Sequence, residues 1–166
     1  QVRETVTAAI ELSAEGLLQQ INEYKCVRDL GVGSTAEVKL CQRVDKHTGK
    51  EELVAVKVFN KSLLNRKARG IAFGRRKKNV EVGEPLQKVR QEVALMKKLV
   101  HPNVVRLLEV IDDPHNDLLF MAMEYVHDGA VMVWDEGTGQ YVSPKTGGVL
   151  PPETAATYFR GMLDGL

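Results

Sequence analysis

Three stretches in the first third of the chain predict β-strands, because they are rich in β-branched and aromatic residues and are bounded by turn-forming residues. They cover residues 24–30, 37–44 and 52–59. A glycine-rich turn at 31–36 joins the first two, and a polar turn at 45–49 leads into the third. The regular structure is therefore expected to begin as a hairpin followed by a third strand.

A helix is predicted next, because apolar residues recur at helical spacing after Pro85, which suits the first turn of a helix. The sequence His-Pro-Asn at 101–103 is expected to end this helix. Two more strands are predicted at 104–111 and 118–125. The apolar positions expected to pack on the sheet are Leu86, Val89, Val93, Met96 and Leu99.

The remaining segments give weaker signals. Residues 1–20 leave a short helix and a loose linker equally open. Residues 61–79 hold eight basic and no acidic residues, so we expect an exposed, irregular insertion. Residues 128–150 hold five glycines, so we expect loops with a weak short helix. A last helix is predicted from residue 151, with the apolar face Phe159, Met162, Leu163 and Leu166.

Composition narrows the class of protein. A chain of 166 residues that is 43% hydrophobic and 27% charged has the composition of a globular protein. Its net charge of +1 gives no general field that would attract nucleic acid. Because no run of about 18 apolar residues occurs, we expect no membrane span. The sequence begins with Gln1 and ends inside a predicted helix, so we expect it to be part of a longer protein.

The two cysteines, Cys26 and Cys41, lie in the predicted hairpin. If Leu30 pairs with Val38 across the turn, the two cysteines differ in parity and their side chains point to opposite faces. We therefore expect no disulfide, and a reducing, cytoplasmic location. Neither cysteine has a neighbour in the sequence that would indicate metal binding, so no metal site is predicted.

The glycine-rich turn leaves two interpretations open. It is either a flexible hairpin or a cover for phosphate groups, because glycines let backbone N–H groups approach phosphate oxygens closely. A dinucleotide-binding motif is excluded, since that motif needs a helix after the turn. A Walker-type loop is excluded because no Gly-Lys-Ser/Thr follows.

Lys57 and Glu92 are the residues that favour the phosphate interpretation. Alternation places Lys57 and Phe59 on one face of their strand. Glu92 stands three residues after Val89 and four before Met96, so it lies on or next to the buried helix face. A carboxylate there requires a charged partner, and we predict a buried Lys57–Glu92 pair. The alternatives are a lysine that reaches water at a sheet edge and a solvated Glu92.

Together these residues resemble the eukaryotic protein kinase family, with Gly31-Val32-Gly33-Ser34-Thr35-Ala36-Glu37-Val38 as the glycine-rich loop and Val54-Ala55-Val56-Lys57 as the lysine strand. The resemblance implies an α+β fold. It consists of a small lobe with a five-stranded antiparallel sheet and one main helix, then a hinge and the truncated start of a helical large lobe. The implied domains are an N-terminal extension at 1–23, the small lobe at 24–126 with a basic insertion at 61–84, and the large-lobe start at 127–166.

The same resemblance implies the site residues. Lys57 and Glu92 would be the catalytic pair that orients phosphate. Met123 would be the gatekeeper, and the backbones of Glu124 and Val126 would hydrogen-bond adenine. Two positions depart from the family pattern, since Ala36 replaces a glycine and Ala130 stands where many kinases have an acidic residue near the ribose. The implied nucleotide-binding residues are Leu30, Gly31, Val32, Gly33, Ser34, Thr35, Ala36, Val38, Ala55, Lys57, Met123, Glu124 and Val126.

The implied activity is transfer of the ATP γ-phosphoryl group to a protein Ser/Thr hydroxyl, with Mg²⁺ as the metal. The 166 residues contain no His-Arg-Asp, Asp-Phe-Gly or Ala-Pro-Glu motif. The catalytic base and the metal-binding side chains would therefore lie beyond Leu166, and the fragment is expected to be inactive. The alternative is a pseudokinase or a truncated, non-catalytic interaction module.

A narrower resemblance concerns the basic insertion and the segments 90–99 and 109–114. These resemble the calcium/calmodulin-dependent protein kinase kinases and their fungal relatives. The resemblance implies an upstream kinase in a signalling cascade, with a protein substrate such as another kinase of the AMP-activated type. Calmodulin would bind only through regions that this sequence does not contain.

Overall fold

The computed structural model describes residues 1–33, 36–45, 48–68 and 84–166. The chain divides into two compact units. The first consists of residues 1–100 and 106–125, and the second of residues 101–105 and 126–166. Within the described residues, no helix is both long enough and apolar enough to cross a membrane.

An eight-stranded sheet forms the first unit, in the order β1-β7-β8-β6-β5-β4-β3-β2. Neighbouring strands are antiparallel except β1 and β7, which are parallel. Strands β4 to β8 confirm the predicted five-stranded antiparallel sheet. The strands are β1 (Arg3–Thr5), β2 (Ile10–Leu12), β3 (Leu18–Ile21), β4 (Tyr24–Val32), β5 (Ala36–Val44), β6 (Glu51–Asn60), β7 (Leu107–Asp112) and β8 (Leu118–Glu124), and the helices are α1 (Lys61–Ala68) and α2 (Glu84–Met96).

The N-terminal extension is neither a helix nor a linker, because it supplies β1, β2 and β3. These strands occupy both ends of the sheet, and only residues 6–9 connect β1 to β2. Eight flat strands would place the two edges about 34 Å apart. The chain from Thr5 to Ile10 spans at most about 18 Å. The sheet must therefore curl until its edges approach each other.

Two apolar clusters pack on opposite faces of the sheet. Ala8 and Ile10, from the segment that links the two edges, pack against the first cluster, which we call the inner core. The second, the helix-side core, joins the other face to both helices. The inner core is Ile21, Tyr24, Cys41, Val54, Val56, Val58, Ile111, Phe120 and Ala122, and the helix-side core is Phe59, Leu64, Val89, Val93, Leu107, Val110, Leu119 and Met121.

A buried carboxylate attaches the N-terminal strand to the sheet. Glu109 in β7 is 0% exposed and accepts hydrogen bonds from the Arg3 guanidinium and the Thr5 hydroxyl. The Tyr24 hydroxyl donates to the same carboxylate at 2.6 Å. Burial raises the pKa of Tyr24, and so does its bond to Glu109, which keeps this hydroxyl a donor. The bond to Glu109 also raises the pKa of Arg3.

Part of the predicted irregular insertion is instead a packed helix, α1. The Asn60 side chain accepts the N–H of Leu63 at 2.8 Å and so caps the first turn. Leu64 is 2% exposed in the helix-side core. The ammonium of Lys61 lies 2.9 Å from the Asp112 carboxylate. The count of basic residues gave no sign of this cap or of the apolar contact of Leu64. Residues 69–83 of the insertion lie outside the described residues.

The predicted register of the glycine-rich hairpin is wrong. Val38 pairs with Gly31 instead of Leu30, and two irregularities in β4 shift the register further. As a result Cys26 and Cys41 are direct partners, with their sulfur atoms 3.5 Å apart as free thiols. The two side chains face each other because each bulge adds a residue to one strand and changes which residues are paired.

The predicted end of the main helix is also wrong. Helix α2 ends at Met96, so Leu99 lies beyond it and is 38% exposed. The Lys98 N–H then bonds to the Leu95 carbonyl, a three-residue spacing that closes the last turn more tightly than an α-helix does. The other four apolar positions of the predicted stripe pack in or against the helix-side core.

The second unit contains a hairpin of β9 (Val133–Asp135) and β10 (Gln140–Val142), then helix α3 (Pro152–Asp164). The short helix predicted within 128–150 is therefore wrong. Asp135 accepts the Gly137 N–H and the Thr138 hydroxyl, both at 2.9 Å, which favours a turn over a helix. Gly139 follows with a φ of 64°, a conformation that suits glycine.

Helix α3 confirms the last predicted helix. Within this helix no residue is buried. The apolar side chains of the predicted face are more than half exposed, namely Phe159 at 61%, Met162 at 56%, Leu163 at 53% and the adjoining Leu166 at 101%.

Tyr24→Phe tests the buried carboxylate. It removes a donor from Glu109 while preserving the ring in the inner core, and loss of one partner of a buried charged group costs about 1–3 kcal/mol. We expect the melting temperature of the chain to fall by several degrees. The matched control is Tyr141→Phe, because Tyr141 is 62% exposed. Equal melting temperatures of the two variants would contradict the role assigned to Tyr24.

Candidate nucleotide site

Lys57 lies in the middle of β6, between Val38 on β5 and Met121 on β8. Its neighbours Val56 and Val58 belong to the inner core, so the lysine side chain projects from the opposite face. Phe59 shares that face, and the Lys57 ammonium lies 4.9 Å from the centroid of its ring. A cation above an aromatic face is attracted to it. The predicted alternation of β6 is therefore confirmed.

The predicted pair between Lys57 and Glu92 is present. The Lys57 Nζ and the Glu92 Oε1 are 3.0 Å apart. The predicted burial is wrong, because the two side chains are 28% and 43% exposed. Val89 and Val93 take the buried positions of α2, and Glu92 lies beside them at the margin of the contact. The carboxylate thus reaches its partner while it keeps contact with water.

The apolar residues predicted for the adenine share the face of Lys57. Val38 is the direct cross-strand partner of Lys57, and directly paired residues project on the same side of a sheet. Ala55 is two residues from Lys57 on β6, and it pairs with Met123 on β8. All three are partly exposed. The sheet therefore brings a small apolar surface next to a held ammonium group.

The glycine-rich turn begins at the end of β4, which lies next to β5 in the sheet. Gly31 pairs with Val38, and the Gly33 N–H donates to the Ala36 carbonyl at 2.8 Å. A Cβ atom at Gly31 would meet nothing within 4 Å, so the backbone there is open to a ligand. At Gly33 a Cβ would lie 3.3 Å from the Ala36 carbonyl oxygen, which is a close approach. The backbone is therefore accessible at Gly31, and the absence of a side chain at Gly33 allows the close approach of the Ala36 carbonyl.

Other predicted residues of the turn have different surroundings. Leu30 lies at the irregularity between Asp29 and Gly31 and is half-buried. Val32 is 79% exposed. Ser34 and Thr35 lie outside the described residues.

Glu124 ends β8, where it pairs with Val54. Its N–H donates to the Arg106 carbonyl at 3.0 Å. Because that donor is used, the backbone of Glu124 could offer a ligand only its carbonyl oxygen. Val126 belongs to the second unit, in which its carbonyl accepts the Gly129 N–H at 3.2 Å.

Two features of the site were missed by sequence reasoning. The cation–π contact of Phe59 was missed although the alternation already placed it beside Lys57. The second is an ion pair behind the glycine-rich turn, where the Lys39 ammonium lies 2.6 Å from Asp29. Burial lowers the pKa of Lys39, but the hydrogen bond to Asp29 and the negative charges of Glu37 and Asp29 together outweigh burial and raise it. The bulge between these strands concealed this contact.

The described part of the site fits the polyphosphate end of a nucleotide. It offers one ammonium held by a carboxylate, an open glycine backbone and an apolar surface beside them. Within residues 1–33, 36–45, 48–68 and 84–166, no group of three or more His, Cys, Asp or Glu side chains could hold a metal ion.

Residues 24–166 match the family described as the protein kinase domain. A probable serine/threonine-protein kinase of Dictyostelium discoideum is 35% identical over 150 residues, which are 89% of this chain and 18% of that protein. A calcium/calmodulin-dependent protein kinase kinase of Caenorhabditis elegans is 34% identical over 89% of this chain and 26% of its own length. The serine/threonine-protein kinase ssp1 of Schizosaccharomyces pombe is 37% identical over 88% of this chain and 19% of its own. The chain thus spans less than a third of the length of these relatives.

The exposure of the Lys57–Glu92 pair predicts that it contributes little to stability. Partly exposed ion pairs contribute about 0–1 kcal/mol. We expect Glu92→Gln to leave the free energy of unfolding within about 1 kcal/mol of the original chain. Val93→Ala, one residue away at a buried position, should cost about 2 kcal/mol. Urea titrations of both variants measure this difference, and a Glu92→Gln loss as large as that of Val93→Ala would contradict it.

Proposed function

The chain belongs to the protein kinase domain family, and on that premise we propose that it is the ATP-binding part of a serine/threonine protein kinase. The single observation that carries the proposal is the 3.0 Å contact between the Lys57 ammonium and the Glu92 carboxylate. Protein kinases use a strand lysine paired with a helix glutamate to hold phosphates. The contact joins residues 35 positions apart in the chain, so it depends on the packing of α2 against the sheet.

In this proposal each residue of the face has a distinct task. Lys57 binds the α- and β-phosphates, and Glu92 holds the lysine side chain in the extended position that this requires. The open backbone at Gly31 lets phosphate oxygens approach closely, while the Gly33 N–H keeps its bond to the Ala36 carbonyl. Val38 and Ala55 cover one face of the adenine, next to Met123. Bound Mg-ATP supplies the γ-phosphoryl group for transfer to a protein hydroxyl.

The backbone of Glu124 is proposed to accept a hydrogen bond from the adenine amino group. Its N–H is already used by Arg106, which leaves the carbonyl for a ligand. The assignments of Val126, Ser34 and Thr35 to the nucleotide stay predictions. The catalytic base and the Mg²⁺ ligands have no counterpart motif in the 166 residues, so other parts of the whole protein would supply them.

The partial exposure of the ion pair is compatible with this task. A charge pair at about 4 Å interacts by about 1 kcal/mol in water but by about 4 kcal/mol at the effective dielectric constant near a protein surface. A bound nucleotide displaces water from the face of Lys57 and thereby strengthens the contacts that the lysine makes. The contact between Lys57 and Glu92 is consequently stronger when a nucleotide is bound.

The proposed substrate is a protein Ser or Thr hydroxyl, and the proposed role is that of an upstream kinase in a signalling cascade. The similarity to a calcium/calmodulin-dependent protein kinase kinase supports this role. A kinase of the AMP-activated type is the proposed substrate, on the resemblance of the segments 90–99 and 109–114. No calmodulin-binding segment is assigned within these 166 residues.

Lys57→Met in the full-length protein is the direct test. We expect kcat/KM for phosphorylation of a protein substrate to fall by about 100-fold or more, because the charge that positions the phosphates is lost. The matched control is Lys25→Met, since Lys25 is an exposed lysine on the neighbouring hairpin. The control should retain its activity. A Lys57→Met variant within a few-fold of the original would show that the assigned role is wrong.

Residues 1–166 alone are expected to transfer no phosphoryl group, because positioning of base and metal provides most of the catalysis of this reaction. Incubation of the purified chain with radiolabelled Mg-ATP and a protein substrate measures this. Phosphorylated substrate would contradict the expectation. If the full-length protein is also inactive although it binds ATP, the pseudokinase alternative holds instead.

A further inference from the structure

Cys26 on β4 and Cys41 on β5 face each other across the hairpin that carries the glycine-rich turn. We propose that this cysteine pair is a redox modification site, at which a peroxide converts the two thiols into a reversible disulfide that staples the hairpin. Nothing in the resemblance to kinases assigns a role to either residue.

The geometry of the pair suits a disulfide. Directly opposed residues of antiparallel strands have Cα atoms about 4.5–5.5 Å apart, within the range of about 4.4–6.8 Å that a disulfide spans. The sulfur atoms are 3.5 Å apart as thiols. They must approach to about 2.05 Å, a change that side-chain rotation on fixed strands can supply. No movement of the backbone between two elements is required.

The two thiols differ in access. Cys41 is 0% exposed in the inner core, whereas Cys26 is partly exposed. Cys26 lines a cavity of about 320 Å³ whose wall also contains Ser13, Glu15, Arg28 and Lys39. A peroxide molecule is small enough to enter this cavity. The pair therefore has one thiol that an oxidant can reach and one that only its partner can reach.

The charges around the pair assign the order of reaction. The Cys41 thiol donates a hydrogen bond to the sulfur of Cys26, which lowers the pKa of Cys26, and the nearby Lys39 ammonium lowers it further. Partial burial and the carboxylates of Asp29 and Glu37 oppose this effect without reversing it, so the pKa of Cys26 stays lowered. The same hydrogen bond and burial raise the pKa of Cys41. Because the thiolate is the reactive form, Cys26 attacks the oxidant first.

The proposed reaction balances with hydrogen peroxide as the oxidant. The Cys26 thiolate attacks one peroxide oxygen, the O–O bond breaks, and the departing hydroxide takes up a proton to become water. This leaves a sulfenic acid at Cys26. Cys41 then attacks that sulfur, the S–O bond breaks, and a second water leaves with the Cys41 proton. Two thiols lose two electrons in total, and a dithiol reductant restores them.

A disulfide at this place would restrain the two strands behind the glycine-rich turn. It closes a loop from residue 26 to residue 41, which includes the irregularities of β4 and the whole turn. The Asp29–Lys39 ion pair lies inside this loop. If the turn covers a nucleotide, as the proposed function requires, a stapled hairpin opens less readily and releases the nucleotide more slowly.

The 166-residue chain tests the site without interference, since Cys26 and Cys41 are its only cysteines. Folded chain is treated with hydrogen peroxide and digested with trypsin without reduction. We expect one disulfide-linked product of peptides 26–28 and 40–43, which dithiothreitol separates. Cys41→Ser should give instead a sulfenic acid at Cys26 that a dimedone probe captures. Unlinked peptides in the oxidised original chain, or linkage only between two molecules, would overturn the proposal.

A second measurement addresses the consequence in the full-length protein. Dissociation of a fluorescent ATP analogue should slow several-fold after peroxide treatment and recover with dithiothreitol. Cys26→Ser should bind the analogue normally and be insensitive to peroxide. An unchanged rate in a protein with a proven Cys26–Cys41 disulfide would overturn the effect on the hairpin. Failure to bind the analogue in the reduced state would count against the proposed function, while the peptide map would still decide the disulfide.

Discussion

The alternation of side chains along β6 is the constraint on which the rest of the first unit depends. Val54, Val56 and Val58 are buried in the inner core. Full burial of three such side chains contributes roughly 5–9 kcal/mol, which is comparable to the entire stability of a small domain. A slip of one residue would exchange the two faces and forfeit this contribution. The valines thereby fix the face on which Lys57 lies.

The position of Glu92 depends on burial in the same way. Helix α2 is held against the sheet by Val89 and Val93, which pack in the helix-side core with Met121. The ion pair itself is too exposed to hold the helix. The polar contact that carries the proposed function is therefore positioned by apolar residues on either side of it. Loss of the ion pair would therefore leave the packing of α2 on the sheet in place.

The features that could be predicted from the sequence are those that depend on a local pattern of residues. The five central strands, the main helix and the Lys57–Glu92 contact followed from alternation, helical spacing and a charge next to a buried stripe. The features that could not be predicted depend on partners far away in the chain or on bulges that add a residue to one strand. Strands β1 to β3 have three or four residues each, and β1 finds its partner more than 100 positions away at Glu109. The bulges of β4 change the facing residues without altering the polarity pattern.

The attachment of β1 has a consequence for the order of folding during synthesis. Arg3 and Glu109 are 106 positions apart. At about 5–20 residues per second, a ribosome needs about 5–20 s to extend the chain from one to the other. Throughout this interval β1 has no parallel neighbour. The hairpins formed by the residues between Arg3 and Glu109 can already close in microseconds. Strand β1 is thus made long before β7 and can take its place in the sheet only after β7 has been made.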